Sequence, residues 1–113
     1  MKKKKLSDKK TLTFAEYQTR AFTTALPNAR TAEYMVLGLC SEAGEVAGKL
    51  KKKIRDGVFD RDAVLYEIGD VLWYVAGLCT VLDAELPDVA EGNLAKLKSR
   101  AERNVLRGSG DVR

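Results

Sequence analysis

Four carboxylates fall in two pairs of the same form along this chain. Glu42 and Glu45 stand three residues apart in Glu-Ala-Gly-Glu, and after a further twenty-one residues Glu67 and Asp70 repeat the spacing in Glu-Ile-Gly-Asp. On a helix that spacing puts both side chains of a pair on one side, one turn apart. Between the pairs lies Arg55-Asp56-Gly57-Val58-Phe59-Asp60, a run that stops a helix. The pairs are therefore expected on neighbouring antiparallel helices, facing each other. Four carboxylates in one groove repel unless a positive partner sits among them. Oxygen donors of this kind suit a hard divalent cation, Mg²⁺ or Mn²⁺.

Helical periodicity fits almost the whole chain, and no β alternation survives inspection. The first helix is expected over about 13–26, opened by Thr13 with Glu16 in capping-box spacing and closed before Pro27-Asn28. The second runs over about 31–56, with Gly57 as its stop and Lys51, Lys52, Lys53 and Arg55 at the negative end of its dipole. The third starts near Asp60 or Arg61 and covers about 61–83; the fourth opens at Pro87 and reaches about 105. Four helices with short connections predict an all-α, four-helix-bundle-like domain over 13–106. A lysine-rich flexible tail, 1–12, precedes it and a glycine-rich flexible tail, 107–113, follows.

Acidic residues on helices are often simply solvated, and the third helix argues against that here. Glu67 and Asp70 align with Tyr74, Leu78 and Val81, and Ile68, Val71, Leu72 and Trp73 flank them. An unpaired charge in a segment apolar nearly all round is costly. The second helix decides less by itself. Its apolar arc holds Val36, Leu39, Ala43, Val46, Ala47, Leu50 and Ile54; Glu42 and Glu45 lie at its edge, with Lys49 and Lys53 in the same stripe. A solvated face of Glu–Lys pairs would look the same, although Gly38, Ser41 and Gly44 leave room around the carboxylates. The joint pattern of both helices points to a site.

The absences narrow the chemistry further. With no histidine, the chain builds neither a Ser-His-Asp or Cys-His nucleophile system nor a Glu-x-x-His di-iron site. Cys40 and Cys79 are isolated in apolar stretches and read as buried free thiols. No apolar run reaches the ~18 residues that span a bilayer, and no signal-peptide core follows the lysines, so a cytoplasmic protein without membrane association is expected. The net charge of +4 misleads: residues 1–10 carry six lysines and one aspartate, leaving the remainder near neutral. The tail is expected to be solvated, with nucleic-acid contact through its lysines the lesser reading.

The words around the acidic pairs carry a resemblance. Leu39-Cys40-Ser41-Glu42-Ala43-Gly44-Glu45-Val46, Glu67-Ile68-Gly69-Asp70-Val71-Leu72-Trp73-Tyr74 and Asn93-Leu94-Ala95-Lys96-Leu97, with Arg100 following, resemble the signature of the MazG-like all-α nucleoside triphosphate pyrophosphohydrolases. The resemblance spans roughly 14–113. It implies a Mg²⁺-dependent enzyme that cleaves a (d)NTP between its α- and β-phosphates, giving a nucleoside monophosphate and pyrophosphate. Glu42, Glu45, Glu67 and Asp70 would be its metal ligands and catalytic residues. The chemistry also fits the residues directly, because a bound cation neutralises phosphate oxygens and acidifies a water without any histidine base.

A triphosphate needs positive partners. Asn93, Lys96 and Arg100 share one face of the fourth helix and are candidates, although a polar outer face would look alike. Lys53, like Lys49, can reach phosphate or simply compensate the helix dipole. Tyr74 matches the position where relatives present an aromatic ring to the nucleoside, with core packing as its competing role, and Trp73 reads as core. Arg113 could add a charge from the C-terminal tail, against the simpler reading of a frayed terminus.

Two other functions are kept open. One is a phosphoribosyl-ATP pyrophosphohydrolase-like enzyme on the same scaffold. The other is a non-enzymatic helical dimerisation module whose lysine tail binds nucleic acid. In each case the apolar surface of the second and third helices exceeds what one short chain covers, so a homodimer or homotetramer is expected.

Overall fold

The computed structural model describes residues 10–111. Four helices follow in order, α1 (Phe14–Phe22), α2 (Ala32–Asp56), α3 (Arg61–Val81) and α4 (Leu86–Glu102), with a 3₁₀ turn at Pro27–Ala29. No strand occurs among the described residues, so the fold is all-α and bundle-like as expected. Most of the lysine-rich segment, together with Arg113, lies outside the described residues.

The starts of the first three helices follow from side chains that take up otherwise unpaired N–H groups. The Thr13 hydroxyl accepts from the Glu16 N–H at 3.1 Å, Thr31 accepts from Tyr34 at 3.2 Å, and the Asp60 carboxylate accepts from Ala63 at 3.0 Å. Gly57 ends α2 in the left-handed region, φ 74°, with its N–H on the Lys53 carbonyl. Three ends come earlier than the periodicity suggests. Beyond Phe22, the hydroxyls of Thr23 and Thr24 donate to the carbonyls of Arg20 and Ala21 at 2.6 and 2.7 Å, competing with helix continuation. After α3 and α4 the chain turns through Asp83 (φ 55°) and Asn104 (φ 57°), residue types that accept this conformation at modest cost.

The α2–α3 hairpin is the spine of the fold. Met35 packs on Gly77, Gly38 on Tyr74, Glu42 gathers with Asp70, and Lys49 lines a cleft with Ala63. Each step up one helix matches the same step down the other, which defines an antiparallel seam of alternating three- and four-residue spacing. Met35 is completely buried, and a Cβ on Gly77 would meet its sulfur at 2.6 Å. Glycine at 77 is what lets the two helices approach.

Helix α1 packs on α3 and α4, and α4 reaches α1 and α3 but makes no packing contact with α2 among the described residues. The buried Gln18 joins three elements. Its amide donates to the Thr80 hydroxyl (3.1 Å) and the Ala84 carbonyl (2.9 Å), and its carbonyl accepts from the Leu86 N–H at 2.7 Å. The Trp73 indole N–H ties α3 to α1 through Thr24 Oγ1 (2.8 Å) and the Ala21 carbonyl. The core between these helices is small: Ala76, Cys79 and Leu86, with Tyr17, Val75 and Ala84 against them.

Much apolar surface is left over. Leu37, Leu50 and Ile54 on α2 and Leu65, Tyr66 and Ile68 on α3 are exposed, Ile54 at 83 %. The radius of gyration is 17.4 Å, against about 13 Å for a compact chain of this length. Two expectations change here. Cys79 is buried, but Cys40 is exposed, because its side of α2 has no covering element. Also, α3 is in fact long and apolar enough to cross a membrane by length and composition. The same two properties serve a helix that must contact three others, and α3 contacts α1, α2 and α4.

Candidate metal centre

Glu42 on α2 and Glu67 and Asp70 on α3 converge midway along the seam. One carboxylate oxygen from each lies within 4.8 Å of the other two, and all three side chains are half-buried. They converge because Glu42 continues the seam positions Met35 and Gly38, while Glu67 and Asp70 continue Gly77 and Tyr74. Glu45, next in that series, is exposed and stands outside the group.

The electrostatics record the same conflict. The Glu42 carboxyl is raised above the usual range, first by desolvation, then by the charges of Asp70, Glu67 and Glu45. Beside the triad a cleft of about 290 Å³ opens, lined by Glu42, Asp70, Trp73 and Tyr74. Burial also raises the Tyr74 phenol, and Tyr34, Glu42 and Asp70 add to the shift. Tyr17 of α1 titrates high for a similar reason, burial first and the Asp70 charge second.

Three hard oxygen donors beside an open, aromatic-walled cleft form an arrangement able to hold a divalent cation next to a planar, charged ligand. A comparison of the sequence with known families gives a match between residues 30–105 and the MazG nucleotide pyrophosphohydrolase domain. This chain belongs to that family. The match takes in the whole α2–α3 hairpin and α4, hence every member of the triad. Among relatives, this MazG domain is 46 % identical over 109 residues to the Gene 37 protein of Mycobacterium phage L5, across 86 % of this chain and 96 % of that one. No solved structure gives a significant match.

The other candidate residues of this MazG domain are dispersed. Asn93 and Lys96 are exposed on α4, away from α2. Arg100 is buried on the same helix, and its guanidinium donates to the Asp111 carbonyl at 2.8 Å, holding the segment after α4 against it. Lys53 is exposed near the closed end of the hairpin, its ammonium 5.0 Å from the centroid of the Phe59 ring. Tyr74 lines the cleft, and Arg113 is outside the described residues.

Trp73 is more than core, since it both anchors α1 and lines the cleft. Tyr34 escaped the sequence reading altogether; its ring lies 6.3 Å from that of Tyr74. The signal that finds it is the seam register, which sets the start of α2 against the middle of α3.

Proposed function

We propose that this MazG domain is a Mg²⁺-dependent nucleoside triphosphate pyrophosphohydrolase, converting a (d)NTP to the (d)NMP and pyrophosphate. The observation that carries the reading is the convergence of Glu42, Glu67 and Asp70 within 4.8 Å in a member of this family. The donor set fits the ion. Glu42, Glu67 and Asp70 would hold the ion through carboxylate oxygens that lie within 4.8 Å of one another, the hard donors that Mg²⁺ takes. Glu45, one turn beyond Glu42 on α2, is the fourth oxygen donor of the proposed set. Mn²⁺ suits the same donors.

When bound, the cation offsets phosphate charge and makes a water more acidic. The chain's own groups do the rest. A carboxylate of the four not committed to the ion accepts the proton of the attacking water. Tyr74 and Trp73 wall the nucleoside side of the cleft. Asn93 and Lys96, on a helix that does not touch α2, serve phosphates in a homodimer or larger assembly, where a neighbouring copy supplies them. Hydrolysis in ¹⁸O-water tests the bond cleaved. Label in the monophosphate is expected; label in pyrophosphate would move the attack to the β-phosphorus.

A further inference from the structure

Gly38 sits inside the long helix α2, where glycine weakens a helix relative to alanine. Its surroundings explain why it is there. A Cβ at this position would run into the Tyr74 ring, meeting Cε1, Cζ and Cδ1. By contrast, Gly44, Gly48, Gly69 and Gly92, also in helices, have nothing within 4 Å of such a Cβ. The Tyr74 ring therefore lies directly on the backbone of α2. Two more aromatic rings fix it. The Tyr34 ring is one turn before Gly38, at 6.3 Å and tilted 35°. Trp73 meets Tyr74 edge-on at 4.9 Å, and its indole N–H is itself held by Thr24.

We propose that Gly38 and Tyr34 are positioning residues that hold Tyr74 as a fixed wall of the cleft beside Glu42 and Asp70, and so set the affinity for the nucleoside part of the substrate. The proposal rests on the pyrophosphohydrolase reading for its substrate, but the packing it describes can be tested without turnover. Neither residue carries a charge or offers a metal ligand. Their effect passes through Tyr74 to the ligand's planar group, for which an aromatic wall is suited whatever the base.

Trp73 is the only tryptophan in the chain, so its emission reports on the Tyr74 ring. Gly38→Ala is expected to change Trp73 emission in the metal-free protein and to lower the melting temperature. Gly92→Ala, the control, is expected to raise that temperature, as alanine does in an open helix site. In steady-state assays with Mg²⁺ and a (d)NTP, Gly38→Ala and Tyr34→Ala should raise KM, the former by roughly fivefold or more, with kcat and the Mg²⁺ dependence little changed. In a Tyr74→Ala background the Gly38→Ala effect on KM should vanish, since the ring it displaces is gone. A Gly38→Ala protein that is stabilised, with unchanged Trp73 emission, would overturn the proposal, as would a KM penalty that persists without Tyr74. If the wild-type protein hydrolyses no nucleotide, the functional reading fails; the emission and melting comparisons still decide whether Gly38 seats the ring.

Discussion

At Glu42 the needs of folding and of the proposed cation binding pull in opposite directions. Its carboxyl is raised by desolvation and then by Asp70, Glu67 and Glu45, so ionising it costs the folded chain more than the unfolded one. For a group raised on folding, the stabilising contribution is complete below the unfolded-state value and is lost as pH rises through the folded-state value. Metal-free protein is therefore expected to lose melting temperature as pH climbs from the ordinary glutamate range through that raised value. Glu42→Gln should flatten this dependence and melt higher than wild type at neutral pH in chelator. A melting series in EDTA checks it; a steeper loss in the variant would contradict the repulsion account. Adding Mg²⁺ should stabilise the wild type and leave Glu42→Gln much less affected.

The helices position these groups through a seam that is not the most apolar arc of α2. Positions Met35, Gly38, Glu42 and Lys49 run along α3, while Val36, Leu50 and Ile54 from the apolar arc are exposed. Helix starts were legible in the sequence because Thr13, Thr31 and Asp60 are local capping signals, and so was the Gly57 stop. The end of α1 was not, because Thr23 and Thr24 could equally have continued the helix; their hydroxyls turned back to Arg20 and Ala21. The gathering of Glu42 with Glu67 and Asp70 was foreshadowed by the spacing of the pairs together with the helix stop between them. The departure of Glu45 and the roles of Tyr34 and Gly38 depend on interhelical register, which periodicity within one helix does not contain. Gln18 was hidden for the same reason: its partners Thr80, Ala84 and Leu86 are far along the chain. Gln18→Leu removes all three bonds and leaves the Leu86 N–H without its acceptor, an expected loss of about 1–3 kcal/mol readable by urea unfolding. A neutral result would mean that the α1–α4 junction is held by packing alone.

Taken whole, one chain is expanded and leaves Leu37, Ile54 and Tyr66 at 70 %, 83 % and 75 % exposure. Exposed apolar side chains on a helical hairpin are expected to form an interface, and a symmetric partner would then close the groove beside the triad. Ile54→Glu with Leu37→Glu should shift the protein to monomer in sedimentation at micromolar concentration and lower its activity with it. A wild-type monomer with full activity would contradict this assembly. The decisive measurement lies in the reaction itself: a panel of (d)NTPs with Mg²⁺, monophosphate and pyrophosphate both quantified, for wild type and for Glu67→Gln. The expected result is one pyrophosphate per monophosphate from at least one nucleotide, abolished by chelator and reduced by about two orders of magnitude or more in Glu67→Gln. Pyrophosphate release that survives chelation, or a Glu67→Gln protein as active as wild type at limiting Mg²⁺, would contradict a cation-dependent pyrophosphohydrolase centred on Glu42, Glu67 and Asp70.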